Sequence, residues 1–169
     1  RNRPPRQGII DKFMTWTHFQ STMVTHEKNA TPDEAVLTER LREAGLRPTR
    51  QRVAIAALLL DGRHRHVSAD SLAREIRQTG AHMAGGTIYN TLHQFTEAGL
   101  LRRVTIHNEH SVFDTNTEHH HHFYDAEQDR LIDIPADEVL LASLPGAPEG
   151  HDIKAVDVLI HISQNDHRE

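Results

Sequence analysis

Four histidines stand in a row, His119, His120, His121 and His122, in a chain of 169 residues that has 15 histidines and no cysteine. Imidazole nitrogen with carboxylate oxygen, and no thiolate, is a donor set for Fe(II), Mn(II) or Zn(II). Imidazole is also an axial ligand to haem iron. Successive side chains of a strand face opposite ways, so a strand opening on this run sends His119 and His121 to one face and His120 and His122 to the other. One segment can then serve two sites. Asp114, one strand earlier, and Asp133, one strand later, can add oxygens, and His64 and His66 form a second pair upstream. The rival reading is a solvated histidine-rich loop with incidental metal affinity.

A second set of residues suits contact with nucleic acid. Thr87, Tyr89 and Asn90 follow Gly85-Gly86 at the start of a predicted helix whose inner face is Ile88, Leu92 and Phe95. The first turn of a recognition helix reaches base edges in the major groove. There an asparagine can bond adenine bidentately, and a ring can pack on a thymine methyl. Arg47, Arg50 and Arg52 gather ahead of an earlier helix, Arg63 and Arg65 follow its end, and Arg102 and Arg103 stand at the start of a predicted strand. Arginine forks fit phosphate oxygens, and such clamps set register on a duplex.

The elements that must position these groups are legible from caps and periodicity. Thr31-Pro32-Asp33-Glu34 reads as a capping box that opens a helix with Leu37, Leu41 and Ala44 on one face and Gly45 at its stop. A second helix opens at Thr49 and ends before Asp61-Gly62. A third opens at Ser68, with Val67 and Leu72 as a hydrophobic staple, and closes at Gly80. The fourth carries Thr87, Tyr89, Asn90, Thr91, His93 and Gln94 outward and ends at Gly99. Residues 101–106 and 111–113 read as two strands around the polar turn 107–110. Helices followed by a hairpin outline a winged helix-turn-helix.

The rear is different in character. Residues 123–124 and 131–134 read as strands around an acidic turn, Pro135 opens a short helix with Val139, Leu140 and Leu144, and Val156, Val158, Ile160 and Ile162 alternate as a half-buried strand. So small a sheet hardly stands alone, which implies pairing with a second copy. The expected class is α+β: a poorly ordered tail over 1–30, a winged-helix DNA-binding domain over 31–116 and a small α/β dimerisation domain with the metal or haem site over 117–165.

Composition narrows the function classes. Residues 105–169 hold 14 acidic side chains against 3 basic ones, whereas the front is mildly basic and nearly all of its cations are arginine. Two surfaces with different partners follow. Disulfides, iron–sulfur ligation and thiol catalysis are excluded with cysteine. The longest apolar run, 53–60, is far short of the ~20 residues of a membrane span, so a cytoplasmic protein without membrane contact is expected.

Residues 44–52 (Ala-Gly-Leu-Arg-Pro-Thr-Arg-Gln-Arg), 66–70 (His-Val-Ser-Ala-Asp), 86–92 (Gly-Thr-Ile-Tyr-Asn-Thr-Leu), 97–101 (Glu-Ala-Gly-Leu-Leu) and Ser-Val-Phe-Asp before the histidine run together resemble the ferric uptake regulator family. The resemblance covers about 33–162. Tyr-Asn-Thr-Leu-His-Gln-Phe with His-His-His-Phe-Tyr is most similar to the iron response regulator branch, whose members sense haem. The resemblance implies a homodimeric transcription factor, mainly a repressor, that binds double-stranded promoter DNA and controls genes of iron and haem metabolism. It also implies a divalent-metal site of His66, Asp114, His120, His122 and Asp133, and haem contact at His120, His121 and His122 with His119 beside them. Paired cysteines that hold a structural zinc in many relatives have Asp125 and Gln128 in their place here. Two rivals stay open: a zinc- or manganese-sensing regulator of the same family, and a metal-dependent hydrolase. The hydrolase lacks a His-Glu-x-x-His helix, a nucleophile elbow and a phosphate loop, so the chain is not expected to be an enzyme.

Overall fold

The computed structural model describes residues 33–107 and 110–164, all within one compact unit, Pro32–Glu169. The proposed tail, Thr31, and the turn residues Asn108 and Glu109 lie outside the described residues. The chain runs α1 (Glu34–Glu43), α2 (Arg50–Leu59), β1 (His66–Val67), α3 (Ala69–Gln78), α4 (Gly85–Glu97), β2 (Arg102–His107), β3 (His110–Asp114), β4 (His120–Asp125), β5 (Arg130–Pro135) and β6 (Leu159–Ile162). It is an α+β fold.

Each helix start has a local cause. Asp33 caps α1, its carboxylate accepting the N–H of Ala35 at 2.9 Å. Thr49 caps α2 by accepting from Arg52 N. Ser68 caps α3 through a reciprocal box with Ser71. α4 alone among these four has no side-chain cap, and its first turn begins at Gly85 itself. At its other end Gly99, at φ +72°, reverses the chain into β2, a conformation that costs glycine little.

The four helices close on one core built from Leu37, Leu41, Ile55, Leu59, Leu72, Ile76, Ile88, Leu92 and Phe95, with Val67 and Phe113 entering from the sheet. Thr91, expected outside, is buried. Positions 88, 91, 92 and 95 are one helical stripe at i, i+3, i+4 and i+7, so geometry puts the threonine on the inner face.

Two three-stranded sheets follow, with orders β1-β3-β2 and β5-β4-β6. The first is antiparallel, and both His66 of β1 and Arg102 of β2 stand opposite Asp114 of β3. In the second, β4 pairs antiparallel with β5 and parallel with β6, so His122 stands opposite Asp133 on one side and Leu159 on the other. A small apolar cluster of Ile106, Val112, Tyr124 and Leu131 joins the two sheets.

Two expectations for the rear need correction. Only a 3-10 turn, Ala136–Glu138, follows Pro135. Of the expected helical positions Val139 is half-buried, whereas Leu140 and Leu144 are 91% and 51% exposed; without a packed face a helix this short is marginal in water. The last strand begins at Leu159 rather than Val156. Alternation continues upstream of it, but the described ladder with β4 starts at Leu159.

Candidate metal centre

β4 delivers the histidine run to two faces. His120 and His122 share one face, ring centroids 4.5 Å apart. His119 and His121 share the other at 5.0 Å. β3 ends at Asp114, whose side chain is fully buried. β1 sets His66 across from it, and β5 sets Asp133 across from His122. One atom from each of His66, Asp114, His120, His122 and Asp133 lies within 4.8 Å of all the others. These are the five residues that the family resemblance nominated. His64 is exposed and outside the group.

The donors converge on a point. Asp114 Oδ2 lies 2.9 Å from His120 Nε2, 3.3 Å from His122 Nε2 and 3.6 Å from His66 Nε2. Asp133 Oδ1 lies 2.9 Å from His66 Nε2 and 3.6 and 3.7 Å from the other two. The Nε2 tips of His120 and His122 face each other at 2.9 Å. Opposite donors on an ion bonded at about 2.0–2.2 Å stand roughly 4.2 Å apart, so five atoms within 4.8 Å suit a shared cation with small adjustment. Two observations favour that use over a hydrogen-bonded cluster. His66 Nε2 and Asp133 Oδ1 are buried and make no properly aligned hydrogen bond. His120 Nδ1 meets the Glu118 carbonyl at 2.8 Å; donating there leaves its Nε2 lone pair for a ligand, the usual outer support of a metal-binding histidine.

The electrostatics agree. Burial alone would lower the pKa of His66, but the close carboxylates of Asp114 and Asp133 outweigh it and raise it to about 9. Burial would raise Asp114, yet His122, His66 and the Asn116 N–H hold its carboxyl well below the usual range. Asp133 is lowered too: His66 overcomes the burial that would raise it. Two carboxylates are therefore charged in a water-poor site, the condition under which a dication is strongly favoured.

Asp125 closes the turn between β4 and β5. Its buried carboxylate accepts the N–H groups of Glu127 and Gln128 at 3.1 and 3.2 Å. Asp125→Ala is expected to cost about 1 kcal/mol, read as a lower urea midpoint at unchanged slope.

The residues read as nucleic-acid contacts divide into two groups. Arg47, Arg50, Tyr89, Asn90 and Arg103 are exposed, and Thr87 is half-buried at the start of α4. Arg103 also donates to Ser111 Oγ at 2.8 Å. Arg52 is engaged within the fold, donating to Gln94 Oε1 at 2.8 and 3.2 Å and to the Arg47 carbonyl at 2.6 Å. Arg102 turns inward to the Glu118 and His120 carbonyls and Asp157. Arg63 pairs with Asp61, and Arg65 with Glu75. Sequence reading missed these structural roles because Gln94 lies 42 residues from Arg52, and Asp157 lies 55 residues from Arg102. The strongest local sign was the early position of Arg102 in β2, level with Asp114.

Comparison with known proteins adds the lineage. The chain is 32% identical over 100 residues to the ferric uptake regulation protein of Vibrio anguillarum, a match covering 59% of this chain and 62% of that one. It is 33% identical over 94 residues to the peroxide-responsive repressor PerR of Staphylococcus aureus, covering 56% and 63%. The match thus spans under two thirds of either relative. The fold is similar to a ferric uptake regulator from Pseudomonas aeruginosa solved with manganese, at a TM-score of 0.58 and 24% identity, covering 76% of this chain and 98% of that one. Residues 43–162 match the family model described as the ferric uptake regulator family, and the chain belongs to that family.

Proposed function

We propose that the chain is a homodimeric, metal-responsive transcriptional regulator, mainly a repressor, that grips double-stranded promoter DNA of iron- and haem-metabolism genes in the cytoplasm. It is not an enzyme. The observation that carries the reading is the five-residue centre drawn from two sheets: His66 and Asp114 from the first, His120, His122 and Asp133 from the second. A bound Fe(II), Mn(II) or Zn(II) would supply positive charge that lets all five donors turn to one point. His66 and Asp114 then fix the first sheet and its helices against β4 and β5. Residues 31–116 serve as the winged-helix reader and 117–165 as the sensing and dimerisation part. Two readers in a dimer must meet half-sites about one helical turn or a multiple apart, so locking that angle decides whether both bind.

Thr87, Tyr89 and Asn90 of α4 read bases, and Arg47, Arg50 and Arg103 hold phosphates. The uncapped start of α4 at Gly85-Gly86 leaves N–H groups for a phosphate oxygen. Ala84→Asp is expected to stabilise the fold by up to about 1 kcal/mol by capping α4 while weakening DNA binding through repulsion. Thermal melting and fluorescence anisotropy read the two effects separately. The edge position of β6 and the exposure of Ile160, at 38%, support pairing with a second copy.

A duplex selected by the Mn2+-loaded protein from a randomised pool tests the reading: affinity is expected to rise on adding Mn2+ or Fe2+. Equal affinity with and without metal, or no selected duplex, would overturn it. The signal is also read here as haem, because His119 and His121 form a second imidazole pair that the five-residue centre leaves unused. A Soret band on haem titration that is lost in His119→Ala/His121→Ala and kept in His120→Ala/His122→Ala would support haem at that face. No band in the wild type leaves a purely metal-sensing relative of the same family.

A further inference from the structure

We propose that Arg102 is the positioning residue that transmits occupancy of the five-residue centre to the β2–β3 hairpin; this rests on the reading of a metal-responsive DNA binder. Arg102 belongs to β2 but spends its guanidinium outside the first sheet. Nη1 donates to the carbonyl oxygens of His120, at 3.2 Å, and Glu118, at 3.4 Å, and Nη2 pairs with Asp157. Its side chain is only 19% exposed, so it is a poor phosphate clamp.

Its neighbours make it a junction. Within the sheet Arg102 stands directly opposite Asp114, and directly opposed residues of an antiparallel pair project to the same face. Across the gap it holds the backbone of His120, whose ring belongs to the same centre. The Glu118 carbonyl that it shares is also the oxygen that orients the His120 ring. Asp157 precedes Val158, whose carbonyl accepts the N–H of His122 at 3.0 Å and whose N–H is donated to His121 Nδ1 at 3.3 Å. One fork therefore joins β2 to the backbone just ahead of His122 and, through the Asp157 carboxylate, to the segment that receives the His122 N–H. A shift of β4 as its imidazoles close on an ion is passed to β2, and from there to Arg103.

A phosphate clamp and a transmitter predict different data. DNA affinity of the wild type, Arg102→Ala, Arg102→Lys and Asp157→Ala is measured by anisotropy on the selected duplex, with Mn2+ and with chelator, at several salt concentrations. Mn2+ affinity and melting temperature are measured alongside. A wild-type enhancement of order tenfold, within the usual range of allosteric coupling, is expected to fall to within about twofold of unity in Arg102→Ala. Metal-free DNA affinity and the salt slope stay as in the wild type, and Arg102→Lys, which can keep the Asp157 pair but not the fork, recovers part of the response. Asp157→Ala removes the exposed anchor without touching the core and lowers the response even if Arg102→Ala fails to fold. Equal weakening of both states with a shallower salt slope would make Arg102 a phosphate contact. Unchanged responses in the folded variants would overturn the proposal alone. A wild type that ignores Mn2+ would overturn the underlying reading.

Discussion

Asp114→Asn is expected to abolish metal-dependent DNA binding. Asp114 Oδ2 lies within 3.6 Å of all three imidazole tips, and its side chain is fully buried. Asparagine has nearly the same shape but removes the negative charge that a dication needs. Loss of an outer partner of a metal ligand costs about 10–100-fold in affinity, so loss of a charged donor should exceed about 100-fold. Mn2+ titration by calorimetry reads the first effect, and anisotropy on the selected duplex reads the second, where the variant should match the chelated wild type. Mn2+ binding at wild-type affinity would place the centre elsewhere.

The second large effect is on pH. In the metal-free protein His66 holds its proton up to about 9 because Asp114 and Asp133 outweigh burial. Ligation through Nε2 must displace that proton. Below about 9 each unit of pH therefore costs one proton's worth of competition, and Mn2+ affinity should rise about tenfold per unit from about pH 6 to pH 8. Calorimetry in buffers of different ionisation enthalpy should show release of close to one proton per ion. Folding stability moves the other way without metal. A raised His66 contributes stability that is complete below its ordinary 6.5 and lost as pH rises through about 9. The lowered carboxyls of Asp114 and Asp133 contribute stability that is present above their ordinary 3.8 and lost as pH falls below it. Chelated protein should thus lose melting temperature from pH 7 to 9 while Mn2+-loaded protein does not. Parallel curves would show that His66 carries no such proton.

How far the amino-acid order alone reveals this depended on the range of each interaction. Thr49 and Ser68 announce their helices because a cap and the N–H that donates to it lie within three residues. The alternation of His119 to His122 across two faces follows from strand geometry, once a strand is granted. The joining of His66 to Asp133 could not be inferred from spacing, since 67 positions separate them; only likeness to a known family nominated that pair. Where a local pattern lacked a full partner surface it misled: Val139, Leu140 and Leu144 suggested a helix, yet Leu140 and Leu144 stay largely exposed. Arginine gives least away, because the same side chain can meet solvent, phosphate or a distant carbonyl. Arg102 took the third course, and Arg52 turned instead to the Gln94 side chain and the nearby Arg47 carbonyl.

His66 lies two residues ahead of the Ser68 cap of α3, and α3 packs on α4. No loop stands between the sensing imidazole and the helical body, so the linkage has no slack in which a small movement could dissipate. Two glycines spliced between Val67 and Ser68 should leave ion uptake intact while disconnecting it from promoter occupancy, as play in a gear train lets the driver turn and the follower stand still.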